Sequence, residues 1–238
     1  MALSTTMDYK DRTFRSLFDR GDALRLENKH FENCMFENCA LSLTKDASRR
    51  SVVKNVSLKN CAFNGCGLGP AILEDVDVNG LSTNDLFIVW AATFQHVKLS
   101  GYVGKMKINQ WAHFVDRTSA TQGPFTAHRE ELYSSLDWAL DISGALFLEF
   151  ELEGVPARLI RRDPETQVVV TRAGALGEAW QNHANARNNP WSFSIQLFLS
   201  DGVEDMVLAA PLAASKKKRD DLIKGLKELR DLGVAEPD

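Results

Sequence analysis

The residues best suited to chemistry in this chain of 238 are four cysteines in two evenly spaced pairs. Cys34 and Cys39 lie in HFENCMFENCALSL, and Cys61 and Cys66 lie in KNCAFNGCGLGP. Zinc would need all four thiolates to converge tetrahedrally. Four residues intervene within each pair and twenty-one between the pairs, a poor match to the tight spacing of zinc knuckles, and His30 is the only histidine nearby. His96, His113, His128 and His183 are scattered without ligand spacing, and none has an evident acid–base partner. Glu149, Glu151 and Glu153 alternate along LFLEFELEG and could pose as paired carboxylates, but an alternating acidic strand face is ordinarily a solvated one. The cationic run Lys216 to Arg219 opens a helical segment, where cations are mildly unfavourable, and reads as a solvated face. GxSxG, HExxH, Walker and GxGxxG patterns are missing from the sequence. No catalytic residue, cofactor or metal is expected.

Two places keep a functional reading. Arg161 and Arg162 end a strand before the DPET turn, where a guanidinium pair could clamp a carboxylate or phosphate; equally, they could pair with the neighbouring Glu149 and Glu151. The segment WQNHANARNNPW, Trp180 to Trp191, brackets Asn182, His183 and Arg187 with two tryptophans. That composition suits a partner-binding loop, or a plain loop whose tryptophans anchor the core.

The elements that would carry these groups follow from periodicity. Large apolar residues recur every five positions at Leu26, Phe31, Phe36 and Leu41, and again at Val53, Leu58, Phe63, Leu68, Leu73 and Val78. Neither a helix of period 3.6 nor a strand of period 2 puts every fifth residue on one face. A backbone that turns a corner every five residues does, and four corners make a coil of about twenty residues that stacks into a solenoid. Each cysteine stands two residues before a large member of the series (Phe36, Leu41, Phe63, Leu68), on the same inward side, where a free thiol packs as a small hydrophobe.

The units CMFEN, CALSL, CAFNG, CGLGP and AILED follow a small–x–large pattern that resembles the pentapeptide-repeat proteins. That resemblance implies a right-handed quadrilateral β-helix over roughly residues 22–110. The Asp or Asn usual before the large residue is mostly missing: His30, Met35, Ala40, Ser57, Ala62 and Gly67 stand there, and only Asp77 fits.

Flanking the repeats, Phe14, Leu17 and Phe18 have helical spacing ahead of Gly21, so residues 1–21 read as a capping helix. Trp111 and Phe114 would cover the other end of a β-helix spanning 22–115, and the polar stretch 116–124 reads as a linker. Residues 125–238 read as an α+β domain with an antiparallel sheet. It starts with a helix from Ala127 to Ile142, followed by a strand with Leu146, Leu148, Phe150 and Leu152 on one face. A second strand, VPARLIRRD, and a third, QVVVTR, follow. A helix then runs from about Ala173 to Asn182, and WSFSIQLFLS forms a strand with Trp191, Phe193, Ile195, Leu197 and Leu199 inward. A short strand at MVLAAP and a terminal helix capped by Ser215 and ended by Gly233 complete the domain.

Composition sets the function class. Apolar residues make up 44% and charged residues 25% of the chain, ordinary for a globular protein. A net charge of −4 argues against nucleic-acid or anionic-membrane partners. The N-terminus lacks an apolar secretory core, so a cytoplasmic location is expected. The favoured expectation is a non-enzymatic protein-binding module, and a weak likeness of the second half to bacterial proteins of unassigned function implies an immunity or antitoxin-like inhibitor of a cognate protein. One alternative is a DNA mimic that protects topoisomerases. Residues 1–110 carry fourteen Lys and Arg against twelve Asp and Glu, which gives no acidic surface for it. The other alternative is an unrecognised enzyme in the second half, with Asp141, Arg161, Arg162 or His183 at its site.

Overall fold

The computed structural model describes residues 6–113, 115–182 and 188–236. The first half is built almost entirely of strands. In chain order they are β1 (Met7–Lys10), β2 (Thr13–Arg15), β3 (Arg25–Glu32), β4 (Met35–Glu37), β5 (Ala40–Leu41), β6 (Val52–Asn64), β7 (Gly67–Leu68), β8 (Ile72–Thr83), β9 (Phe87–Trp90) and β10 (Thr93–Asn109). The second half begins with helix α1 (Ser119–Ser135), strand β11 (Leu140–Leu152) and the short β12 (Ile160–Arg161). It continues through β13 (Gln167–Thr171), α2 (Arg172–Leu176), α3 (Glu178–Gln181), α4 (Ser192–Asp201), β14 (Asp205–Ala209) and α5 (Lys216–Asp231).

Twelve strands join in one large, mostly parallel sheet that curls like half a barrel. Its path runs β1-β3-β6-β8-β10-β9-β7-β5, with β2 and β4 beside β6 and with β11 and β12 beyond β10. The curl comes from bends in which φ turns positive at Asn28, Asn33 and Asn38, and again at Asn55, Asn60 and Gly65. Asn and Gly tolerate this left-handed conformation better than other residues. Between bends the five-residue series points inward: Phe31, Phe36, Leu41, Leu58, Phe63 and Leu68 all belong to one apolar interior. Aromatic rings run through it, Phe14 stacked on Phe36 at 5.0 Å and Phe36 edge-on to Phe63 at 5.1 Å.

This architecture corrects the expectation of a right-handed β-helix solenoid followed by an antiparallel domain. A five-residue bend period is met equally by long strands that turn repeatedly within one sheet. Here β6, β8 and β10 run through their bends as strands of 13, 12 and 17 residues. The sheet also crosses the stretch read as a linker: β11 pairs in parallel with β10 from Val97↔Leu140 to Ile108↔Leu152. The only antiparallel pairing among named strands of the described residues is β13 with β14.

Several local expectations change with it. The described part of residues 1–21 forms β1 and β2 in place of a helix, and Phe14 packs on Phe31 and Phe36. Residues 119–124 begin α1, which ends at Ser135, and the segment from Leu140 is strand. On β11 the buried residues are Leu140, Ile142, Ala145, Phe147 and Leu152, whereas Leu146 is exposed, because the strand bends and cannot keep one alternating face. WSFSIQLFLS is helical: Trp191, Ile195 and Phe198 are buried at helical spacing, and Phe193 and Leu197 face out. Phe114 lies outside the described residues, and Trp111 is half-buried beneath the Arg117 guanidinium.

The second half packs its own core between α2–α5 and the β13–β14 pair, with Ile195, Leu226 and Leu229 fully buried. It is tied to the large sheet by Gln167, whose amide donates to the Ile142 carbonyl at 2.9 Å, and by the Ala213 amide on the Phe147 carbonyl. No helix among the described residues is long and apolar enough to cross a membrane.

Candidate functional site

All four cysteines carry free thiols in the sheet interior. Cys34 Sγ donates to the Tyr9 carbonyl at 3.4 Å and Cys61 Sγ to the Phe31 carbonyl at 3.5 Å, with Cys39 and Cys66 making similar bonds to Phe14 and Phe36. Burial pushes the Cys61 and Cys66 thiols above their ordinary range, which makes them poor nucleophiles. Among the described residues no cluster of three or more His, Cys, Asp or Glu is placed to hold a metal.

The two arginines make different contacts. Arg161 lays its guanidinium over the Trp138 ring at 4.2 Å, while Arg162 Nη1 donates to the Gln167 carbonyl at 3.3 Å. Of the glutamates weighed as their partners, Glu151 pairs with Lys107 at 2.7 Å, and Glu149 stands opposite Lys105 in the β10–β11 register. The Trp138 ring continues to His96, with centroids 4.8 Å apart. His96 in turn bridges two carboxylates, Asp137 at 2.8 Å and Asp75 at 3.4 Å. The bond to Asp137, aided by Asp75, raises the His96 pKa, and the same bond lowers that of Asp137. The result is a surface row of cation, indole, imidazole and two carboxylates. Its partners come from β8, β10, the turn before β11 and β12, so no short sequence motif reveals it.

Trp180 and Trp191 are buried, and Trp191 Nε1 donates to the Leu222 carbonyl at 2.9 Å, so both serve as core anchors. Asn182 is exposed at the end of α3, and its amide bonds to the Glu178 carbonyl. His183 and Arg187 lie outside the described residues. Beside this segment, on the packed helices α2 and α4, three large apolar residues face solvent: Leu176, Phe193 and Leu197, at 55%, 68% and 51% exposure. Phe193 and Leu197 are one turn apart on α4 and share a face. A strand over these residues would place the two inward, and the observed helix turns them out.

A third feature lies at the β1–β2 end of the curled sheet. The interior there opens to solvent past Leu17, Phe18 and Leu24. Asp19 anchors this rim. Burial pushes its carboxyl up, but hydrogen bonds from Ser51 Oγ and the amides of Asp22, Ser42 and Gly21 outweigh burial and hold it below the usual range.

No protein family, curated protein or solved structure matches this chain. The likeness to pentapeptide-repeat proteins therefore rests on the sequence pattern alone.

Proposed function

We propose that the chain is a protein-binding module that grips a cognate protein through the α2–α4 face around Leu176, Phe193 and Leu197. The observation that carries this reading is the exposure of three large apolar side chains on a helical pair whose neighbouring tryptophans are buried. Apolar anchors on a rigid, well-packed support are the usual energetic centre of protein interfaces. The Arg161–Trp138 stack adds a second pair of residue types enriched at such centres. An immunity or antitoxin-like inhibitor is one use of such a face, because occupancy alone blocks the partner. Free thiols throughout suit a reducing compartment, and the cytoplasm is the proposed location.

The test is co-purification from native lysate with wild-type chain and with a Phe193→Asp/Leu197→Asp variant. A stoichiometric protein retained by the wild type and lost by the variant, with thermal stability nearly equal, is expected. Retention of the same protein by both, or of none by either, would refute the assignment.

A further inference from the structure

The interior of the curled sheet is hollow. A cavity of about 630 Å³ runs from Tyr9 and Phe14 on the first strands to Met106 and Ile108 on β10. One wall is the aromatic series Phe31, Phe36 and Phe63, and an aliphatic wall is built by Val56, Val76 and Val97 on successive strands. Ligand cavities fall in this size range, and an apolar void without polar partners stays dry and takes apolar guests. From β1 through β3, β6 and β8 to β10 there are four strand-to-strand steps, which gives the hollow a length of about 19 Å.

The two ends differ. Beyond β10 the interior is filled by buried side chains of β11, Phe147 among them. At the β1–β2 end Leu17, Phe18 and Leu24 are 56%, 43% and 47% exposed, so the hollow opens there through an apolar mouth. Arg20 stands at that mouth with its guanidinium 5.8 Å from the Phe18 ring centroid, and among the described residues no carboxylate pairs with it. The nearby Asp19 carboxylate is saturated by its four donors and turned into the fold.

An apolar channel that opens past Leu17, Phe18 and Leu24, with the Arg20 cation beside that opening, fits a single extended alkyl chain bearing an anionic head. We propose that this interior is a binding site for one long-chain free fatty acid, with its alkyl chain along the Phe31–Phe36–Phe63 wall and its carboxylate on Arg20. The site is separate from the α2–α4 face and does not depend on the protein-binding reading.

The experiment is calorimetric titration of delipidated full-length chain with saturated fatty acids of increasing length and with the matching alcohols. One acid per chain is expected, with affinity rising about fourfold per added methylene until the channel is filled. Arg20→Gln, a surface change, should weaken the acids about fivefold and leave the alcohols unaffected. Val56→Phe, placed midway along the channel on β6, should shorten the longest chain accepted; if that variant fails to fold, Arg20→Gln alone decides. Absence of saturable binding, affinity indifferent to chain length, or acids and alcohols equally affected by Arg20→Gln would each overturn the proposal. Retention on phospholipid vesicles without uptake of the free acid would overturn it as well.

Discussion

Replacing Asp19 tests how the open rim of the sheet is held. Its carboxylate accepts from Gly21 N at 3.1 Å, Asp22 N at 2.9 Å, Ser42 N at 2.8 Å and Ser51 Oγ. In Asp19→Ala the Asp22 amide can turn to water, because Asp22 is exposed, whereas the Gly21 amide is buried and cannot. Ser42 and Ser51 are 0% and 1% exposed and have no such recourse. Ser51 Oγ still accepts from the Leu24 amide at 3.0 Å, but its own hydroxyl proton loses its acceptor. A buried donor left unpaired costs about 1–3 kcal/mol, so these three donors, at the low end of that range, should destabilise by about 3 kcal/mol. That is a large share of the 5–15 kcal/mol typical of a folded chain, and a chain of this size should lose about 6–12 °C in Tm. Urea unfolding followed by circular dichroism measures it, with the slope against urea unchanged. The pH dependence supplies a second readout. The folded-state pKa lies below the ordinary 3.8, so the carboxylate stabilises fully above that value and less as pH falls through the folded pKa. The gap between wild type and Asp19→Asn should therefore hold from about pH 6 down to about pH 4 and narrow below that. A loss under about 1 kcal/mol in Asp19→Ala, or a gap that stays constant with pH, would refute the reasoning.

Other perturbations read other parts of the structure. His96 should titrate above the ordinary 6.5 in NMR spectra and fall toward it in Asp75→Asn/Asp137→Asn; any stability it lends is present below 6.5 and lost as pH rises through its folded pKa. In Gly69→Ala the new Cβ would lie 2.0 Å from the Ser42 carbonyl oxygen and force backbone apart, so a loss of about 2–3 kcal/mol is expected in thermal unfolding. Gly67→Ala, which meets nothing within 4 Å, is the control and should leave Tm nearly unchanged.

The sequence pattern carried the interior of the sheet but not its extent. Every fifth residue from Phe31 to Leu41, and again from Leu58 to Leu68, faces inward because the chain bends at the same interval, and that much follows from the period. A finer signal lies beside it: Asn28, Asn33 and Asn38, and again Asn55 and Asn60, are spaced by five at the bends with positive φ. Tyr9 and Phe14 keep the same interval, yet Phe14, Leu17 and Phe18 also match a helix, and the local pattern could not choose between them. Pairing partners decided the matter, since β1 and β2 each find a parallel neighbour 22 residues on. The same ambiguity governs α4, where Trp191, Ile195 and Phe198 satisfy a helix while alternate residues satisfy a strand. Packing against α2 and α5 selects the helix.

The candidate sites were less legible because their members meet only through that packing. Arg161 is visible in sequence as a spare cation, but its aromatic partner lies twenty-three residues away and reaches it only because β12 pairs with the start of β11. This placement also alters what Arg161 can do. A guanidinium stacked on an indole keeps its donors at the rim of the ring, free for a planar acceptor, whereas one buried in an ion pair does not. The row from Arg161 to Asp75 thus ties β8 and β10 to the second half while presenting donors outward. Exposed ion pairs add little stability singly, so the row's contribution to folding is small. A charge-preserving change at Arg161 should then affect binding more than folding, whereas loss of the Trp138 ring, which touches both His96 and Arg161, should disturb the whole row.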